Sequence, residues 1–449
     1  MRISFTYCIF AAKTTMKVNE SLRLSLRLNE MLRSDLSHVF SDSIPVGLIE
    51  ERSRVLNPKS RNCIFTPVNV ILTMLLTSIQ EDKSLQNGLN LFKTVFESNC
   101  NHVMQQEEDR LHAERISAGY HPVKSGRPRK YKSCLPRRFQ NPISDCTGGY
   151  SIARKNLDVS IIQDVYAHST DFGYLDKERW HGMKTYITDG TCLQLQDTED
   201  IRGHYAVNGC EDSYPQALLQ VMIRQGTGQT SQFVLDSRNV SELFLVVPMI
   251  RNLEENSLLL ADDLYNSWYH FCLVLAQKCH IIVPGKRERN YKVVRQLNAN
   301  DQIVEISKTN RPDYVSREEW QNLPESILMR RITYTYPTKN GEETAVLYTT
   351  IADDTIKTHE IITKYTLRWD IEISIREVKT IMDINVLRSK NRDMVLKELM
   401  IALIAYNMLR KKIAESADPV GFSHREDIFQ KCPPFGRPVL LDKRGRVFL

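Results

Sequence analysis

Three acidic residues and one basic helix face are the features whose types and spacing suit chemistry. Asp189 closes the run YITD and Asp262 closes LLLAD, so each reads as a carboxylate at the end of a short apolar strand. A strand end is a stiff mount for a charged group at the edge of a sheet. One such aspartate is weak evidence, because Asp189-Gly190 also reads as a turn. Two are more suggestive when a glutamate-bearing helix lies downstream. In that helix Tyr365, Arg368, Glu372 and Lys379 stand at offsets of 0, 3, 7 and 14. At about 100° per residue they fall at roughly 0°, 300°, 340° and 320°, within a face about 60° wide. Leu367, Ile371, Ile375, Val378 and Met382 form an apolar stripe beside it. Such a stripe can pack on a sheet and present the polar face at the sheet's edge. The same spacing equally describes a solvated face on which Arg368 and Glu372 brace the helix as an i,i+4 pair.

Carboxylates arranged in this way suit hard cations, since Mg²⁺ prefers oxygen ligands. Two such ions roughly 3.5–4 Å apart meet the needs of phosphodiester cleavage, one at the attacking oxygen and one at the leaving oxygen. Arg368 and Lys379 can hold flanking phosphates, the first with a planar fork and the second as a point charge.

The elements that must position these groups are α/β in pattern. Thr185–Thr188, Ala217–Ile223, Gln232–Leu235, Ser257–Ala261 and His280–Val283 are strand candidates. Val240–Leu253 and Tyr265–Lys278 read as helices. Strands in a run, then alternating with helices, predict a mixed sheet covered by helices. Residues 285–350 interrupt this with a basic stretch and a hairpin, Arg331–Tyr336 and Thr344–Thr349, turning near Asn340-Gly341. Long amphipathic helices are expected over Lys357–Met382 and Met394–Glu415. Upstream, Thr66-Pro67 is a helix start, with Thr66 as N-cap and Pro67 at the first position. A second helix is expected over Leu85–Phe96.

Composition narrows the class. The chain has 449 residues, 42% of them hydrophobic, and a formal charge of +6. That allows two to four domains and excludes global disorder. The ten cysteines are scattered and never spaced CxxC, which argues against a structural zinc site or a disulfide framework. Arg2 followed by Ile3–Ala12 faintly imitates a signal peptide, but Lys13 and Lys17 come at once after it. The apolar run Leu399–Met408 is shorter than the roughly 20 residues a bilayer requires. The expectation is a soluble, cytoplasmic protein with no membrane partner. Arg127, Arg129 and Lys130 belong to a Pro- and Gly-rich basic stretch, GRPRK, that resembles the arms lying in a DNA minor groove and also reads as a solvated loop.

The run YTLRWDIEISIREVK, Tyr365 to Lys379, matches the Y-x2-R-x3-E-x6-K signature of DDE transposases in the IS-four family at all four positions. YITDGT and LLLADDLYNSW resemble that family's two aspartate motifs, and GGYSIARKNL and ELMIALIAYNMLR are similar to flanking segments. The resemblance covers about residues 60–425. It implies a ribonuclease-H-like mixed sheet with flanking helices, a β-rich insertion and an N-terminal helical domain. It also implies catalytic, metal-holding roles for Asp189, Asp262 and Glu372 with Mg²⁺ or Mn²⁺. Tyr365, Arg368 and Lys379 would contact DNA near the cleaved end. Trp320, the only tryptophan of the insertion, would stack on a flipped base, although a packing role suits it too. The implied partners are double-stranded transposon ends and target DNA, bound by a homodimer. Asp262 is followed by Asp263-Leu264-Tyr265 where the family often has Arg-Gly and an aromatic, so Asp263 competes for the ligand role. The expected plan is a helix-leaning segment 1–60, a helical DNA-binding domain 61–120, a basic linker 121–147, a catalytic domain in two parts (148–284 and 351–416) around the insertion 285–350, and a tail 417–449.

Overall fold

Thr66 starts a helix as expected: its side chain accepts the Asn69 N–H at 3.3 Å, and Pro67 takes the first position, where a missing N–H costs nothing. The computed structural model describes residues 43–58, 64–94, 144–170, 179–205, 213–286, 289–338 and 341–417, with isolated residues 40, 113, 117 and 207. Arg127, Arg129 and Lys130, most of the 1–60 segment and the tail lie outside the described residues.

These residues divide into two compact units. The smaller is helical, with α1 (Val46–Leu56), α2 (Pro67–Ser78), α3 (residues 85–94), α4 (Gly148–Asn156) and most of α5 (Val159–Ser169). The Phe65 ring packs on Phe92 and Tyr150 at centroid distances of 5.5 and 5.7 Å, joining the start of α2 to α3 and α4.

The larger unit is built on one sheet. β1 (Lys184–Gln194) pairs antiparallel with β2 (Gln216–Arg224), and β2 with β3 (Thr230–Ser237). The short helix α6 (Glu199–Arg202) lies between β1 and β2 in the chain, and α7 (Glu242–Arg251) leads from β3 to β4 (Ser257–Leu260). β4 lies parallel to β1, and α8 (Trp268–Ala276) crosses over to β5 (His280–Pro284), parallel to β4. Tyr186, Leu259, Ile281 and Val283 share a core with Val246 and Ile250 of α7 and Phe271 and Val274 of α8. The expected mixed sheet with flanking helices is therefore present.

The insertion differs from the expectation in one respect. Besides the hairpin, now β8 (Ser326–Thr338) and β9 (Gly341–Thr349), it contains β6 (Lys292–Asn298) and β7 (Asp301–Ser307). All four extend the same sheet, in the order β3-β2-β1-β4-β5-β9-β8-β7-β6, through antiparallel pairing of β9 with β5. β6 is an almost wholly exposed edge strand, so it lacks the buried alternation by which strands are read in a sequence. The helix α9 (Arg317–Gln321) sits between β7 and β8 in the chain.

A buried ion pair ties the insertion to the helix downstream of it. The Arg330 guanidinium donates to both carboxylate oxygens of Asp301 at 2.6–3.1 Å and to the carbonyls of Asp353 and Ile356 at 2.8 Å. Thr358, the first residue of α10 (Thr358–Thr366), donates its hydroxyl to the same aspartate. The predicted single helix over Lys357–Met382 is interrupted: a 3₁₀ turn, Leu367–Trp369, separates α10 from α11 (Asp370–Ile381). The last helix is α12 (Arg392–Ala417). No helix among the described residues is long and apolar enough to cross a membrane.

Candidate active site

The two aspartates meet through strand register. Lys184 to Ile187 pair with Ser257 to Leu260, an offset of 73 that also separates Asp189 from Asp262. The last pair, Ile187 with Leu260, lies two residues before each aspartate, so Asp189 and Asp262 follow from neighbouring strands, and the Asp262 charge is felt at Asp189. β1 does not end at Asp189, as the sequence suggested. Its antiparallel pairing with β2 runs on to Gln194, while β4 stops at Leu260. Asp189-Gly190 is extended strand rather than a turn, and Asp189 stands where β1 loses its parallel neighbour.

Asp262 caps the 3₁₀ turn Asp263–Tyr265 by accepting the Leu264 N–H at 2.8 Å. Asp263 instead accepts the Lys286 N–H at 3.0 Å, beyond β5. Asp189 accepts the N–H of Gly190 at 2.9 Å. Burial pushes its carboxyl up to about 6; the Gly190 bond opposes this, the charges of Asp262 and Glu242 add to it, and Arg368 works against it. The electrostatic partner of Asp189 on the β4 side is thus Asp262.

The signature face is split by the 3₁₀ turn. Three residues at about 120° instead of 100° rotate everything beyond them by about 60°. Ile371, Val378 and Met382 of the predicted stripe are buried. Ile375 and Val378 line a narrow cleft with Leu219, Val221 and Ile223 of β2, so α11 packs on the sheet as expected. Arg368 donates to Glu372 at 2.9 Å, and its guanidinium lies over the Trp369 ring at 5.1 Å. Burial works against the Arg368 charge, but the bond to Glu372, with Tyr365 and Asp189 nearby, holds its value up. Glu372 is exposed. Among the described residues no three acidic, histidine or cysteine side chains lie close enough to share one ion.

The remaining predicted residues take varied places. The Tyr365 hydroxyl donates to the Ala261 carbonyl at 3.4 Å, one residue before Asp262, and burial raises its pKa. Lys379 is half-buried against Thr191 of β1, and burial lowers its pKa, with Cys192 opposing. Trp320 packs against the core shared by α7, α8 and the insertion, with the Lys308 ammonium 5.6 Å from its ring centre. Trp369, at 62% exposure, is the tryptophan most open to water. Sequence reasoning missed Glu242 and Tyr265. The Tyr265 hydroxyl donates to Glu242 at 3.2 Å, and burial, with the Asp262 charge adding, raises the Glu242 pKa against that bond. Glu242 comes directly after Ser241, the N-cap of α7, where acidic residues are ordinary, so no sequence signal marked it.

Comparison with known proteins yields three findings. A family model described as a transposase DDE domain matches residues 180–408. The transposase InsG for insertion sequence element IS4, from Escherichia coli strain K12, is 23% identical over 279 residues, 59% of this chain and 61% of that protein. The match therefore spans less than two thirds of that relative's length. A solved structure, the cryo-EM piggyBac transposase synaptic complex with hairpin DNA, is similar at 11% identity over 94% of this chain and 83% of that one, with a TM-score of 0.33, too low to bear on the fold. The first two agree with the resemblance carried by the signature helix.

Proposed function

The chain belongs to the DDE transposases, and from that premise we propose that it cleaves and joins DNA strands at the ends of an insertion sequence. The observation that carries this reading is the parallel pairing of β1 with β4, whose last pair lies two residues before Asp189 and Asp262, with Asp262 and Arg368 of the signature segment both electrostatically coupled to Asp189. Oxygen donors held together against their own repulsion, one with its carboxyl pushed up to about 6, fit a divalent cation such as Mg²⁺ or Mn²⁺. Asp189, Asp262 and Glu372 would hold it. When bound, such a cation activates the attacking oxygen and offsets the charge of the phosphoryl transition state.

The chain's own groups prepare that site. Tyr365 anchors the backbone that delivers Asp262. Arg368 offsets acidic charge at Asp189 and holds Glu372 by a hydrogen bond, so Glu372 would join the aspartates once that bond opens. The freed guanidinium then has its fork available for a phosphate, and Lys379 extends the same cationic line along α11. Double-stranded element ends and target DNA are the partners, bound by a pair of chains inside the cell. Arg127, Arg129 and Lys130 add sequence-independent phosphate contacts.

Purified full-length protein, paired inverted-repeat ends and target DNA with Mg²⁺ or Mn²⁺ test the reading. Joined products are expected, and Ala at Asp189, Asp262 or Glu372 should abolish them. Cleavage without joining would identify a nuclease instead. Normal cleavage by Asp262→Ala with a dead Asp263→Ala would move the ligand role by one residue. Neutralising Arg127, Arg129 and Lys130 together should make binding less steeply salt-dependent, because fewer counterions are released; an unchanged slope would make that stretch an inert linker.

A further inference from the structure

Backbone pairing between β1 and β4 ends at Ile187 and Leu260, before either aspartate. Beyond it the two aspartate-bearing segments are joined by side chains, and Gln220 of β2 makes the join. Its amide nitrogen donates to the Thr188 hydroxyl oxygen at 2.8 Å and to the Tyr265 hydroxyl oxygen at 2.7 Å. Thr188 precedes Asp189. Tyr265 ends the 3₁₀ turn that Asp262 caps, and its N–H donates to the Asp262 carbonyl at 3.2 Å.

The direction of each bond is fixed. Thr188 donates its hydroxyl to the Val221 carbonyl at 3.0 Å, and Tyr265 donates to Glu242 at 3.2 Å. Both hydroxyl oxygens are left to accept from the amide. Glu242 in turn lies over Gly190, where a Cβ would stand 2.5 Å from its Cδ. The residues on both sides of Asp189 are thus held from one face of the sheet. Met222, opposite Thr188, belongs on that face to the core shared with α7 and α8. Strand alternation puts Asp189 on the other face, with Thr191, which lines the cleft against α11.

Gln220 and Tyr265 are both fully buried. An apolar side chain of like length would fill the place of Gln220 without burying an amide. What the amide adds is direction: two bonds at fixed angles lock the end of one segment to the turn of the other. We propose that Gln220 and Tyr265 are positioning residues, which set the spacing of Asp189 and Asp262 from behind the sheet. The proposal rests on the reading of those two aspartates as cation ligands.

Two measurements on the full chain without DNA test this apart from activity: Mn²⁺ binding, followed by the electron paramagnetic resonance signal of free Mn²⁺, and melting of the metal-free protein. Tyr265→Phe keeps the ring and removes the hydroxyl that receives the amide. Gln220→Met keeps the length and removes the amide. Each should weaken Mn²⁺ binding by about tenfold, the lower end for groups that orient metal ligands. The double variant should bind no more weakly than either single one, because both break one link. Tyr265→Phe carries the test if Gln220→Met does not fold. A lowered melting temperature with wild-type Mn²⁺ binding in Tyr265→Phe would leave only a core hydrogen bond and overturn the proposal. So would a double variant whose loss is the product of the two. Asp189→Asn keeps the two readings apart. If it loses Mn²⁺ while the other variants bind like wild type, only the positioning role falls. If it also binds like wild type, the aspartates are not cation ligands and both readings fall.

Discussion

Arg330–Asp301 and Arg368–Glu372 are pairs of the same kind of side chain in opposite circumstances. The first is sealed, with the two side chains 2% and 0% exposed, and its guanidinium also holds two backbone carbonyls. The second stands at 12% and 46%, spanning the join of the 3₁₀ turn and α11, with the glutamate about half in water. A sealed pair fixes geometry: it determines where the insertion ends and where α10 begins, and hence where the signature residues start. The open pair is cheaper to break, which suits the proposed move of Glu372 from its arginine to a cation. The sealed arginine belongs to the scaffold, and the proposed reading gives the open one to the site.

The largest effect should come from breaking the sealed pair. Arg330→Ala leaves a buried carboxylate without its partner, and such losses cost about 3–5 kcal/mol. Urea unfolding reads this directly; a loss below about 1 kcal/mol would mean that water reaches the pair, and the contrast would disappear. Next comes the open pair. Arg368→Gln, which removes a largely covered guanidinium from a pair that still reaches solvent at Glu372, should cost about 1 kcal/mol in stability, the upper end for such pairs. Cleavage of end DNA should nevertheless fall by about tenfold or more, equivalent to about 1.4 kcal/mol. Lys379→Ala should behave alike, because Lys379 also presents a cation from α11 but lies too far along to pair with Glu372. Near-wild-type cleavage by both variants would reduce the signature helix to a mount for one carboxylate.

The smallest effect concerns the acidic side of the open site. Because the Asp189 carboxyl is raised to about 6, the folded protein holds that proton more tightly than the unfolded chain does. Its contribution to stability is present at low pH and is lost as pH rises through about 6. Asp189→Asn cannot lose it. At pH 8 without divalent ions the variant should melt above wild type by about 2–4 °C, the scale of 1 kcal/mol in a domain of this size. The gap should close toward pH 4. A gap independent of pH would show that Asp189 is not strained by its neighbours.

Much of this was legible because it depends on local pattern. The Thr66-Pro67 helix start, the strands flanking Asp189 and Asp262, and the spacing of Tyr365, Arg368, Glu372 and Lys379 are written in short stretches whose physics is periodic. The offset of 73 between the aspartates was also visible, but its meaning was not. It acquired one only when β1 and β4 were seen to pair in parallel with the same offset, which brings the Asp262 charge within reach of Asp189.

What the amino-acid order determined by itself, then, is which side chains each element presents and how often. What only the tertiary structure decided is which of them meet. Asp262 rather than Asp263 is the partner of Asp189, because a 3₁₀ turn directs the two neighbours to different hydrogen bonds. β6 joins the sheet through its backbone, which carries no hydrophobic signal. Glu242 of α7 comes to lie over the backbone of Gly190 in β1. Hydrogen bonding and charge act over a few ångströms of space, and residues at those distances can lie 52 positions apart in the chain, as Gly190 and Glu242 do. No periodicity records such a meeting.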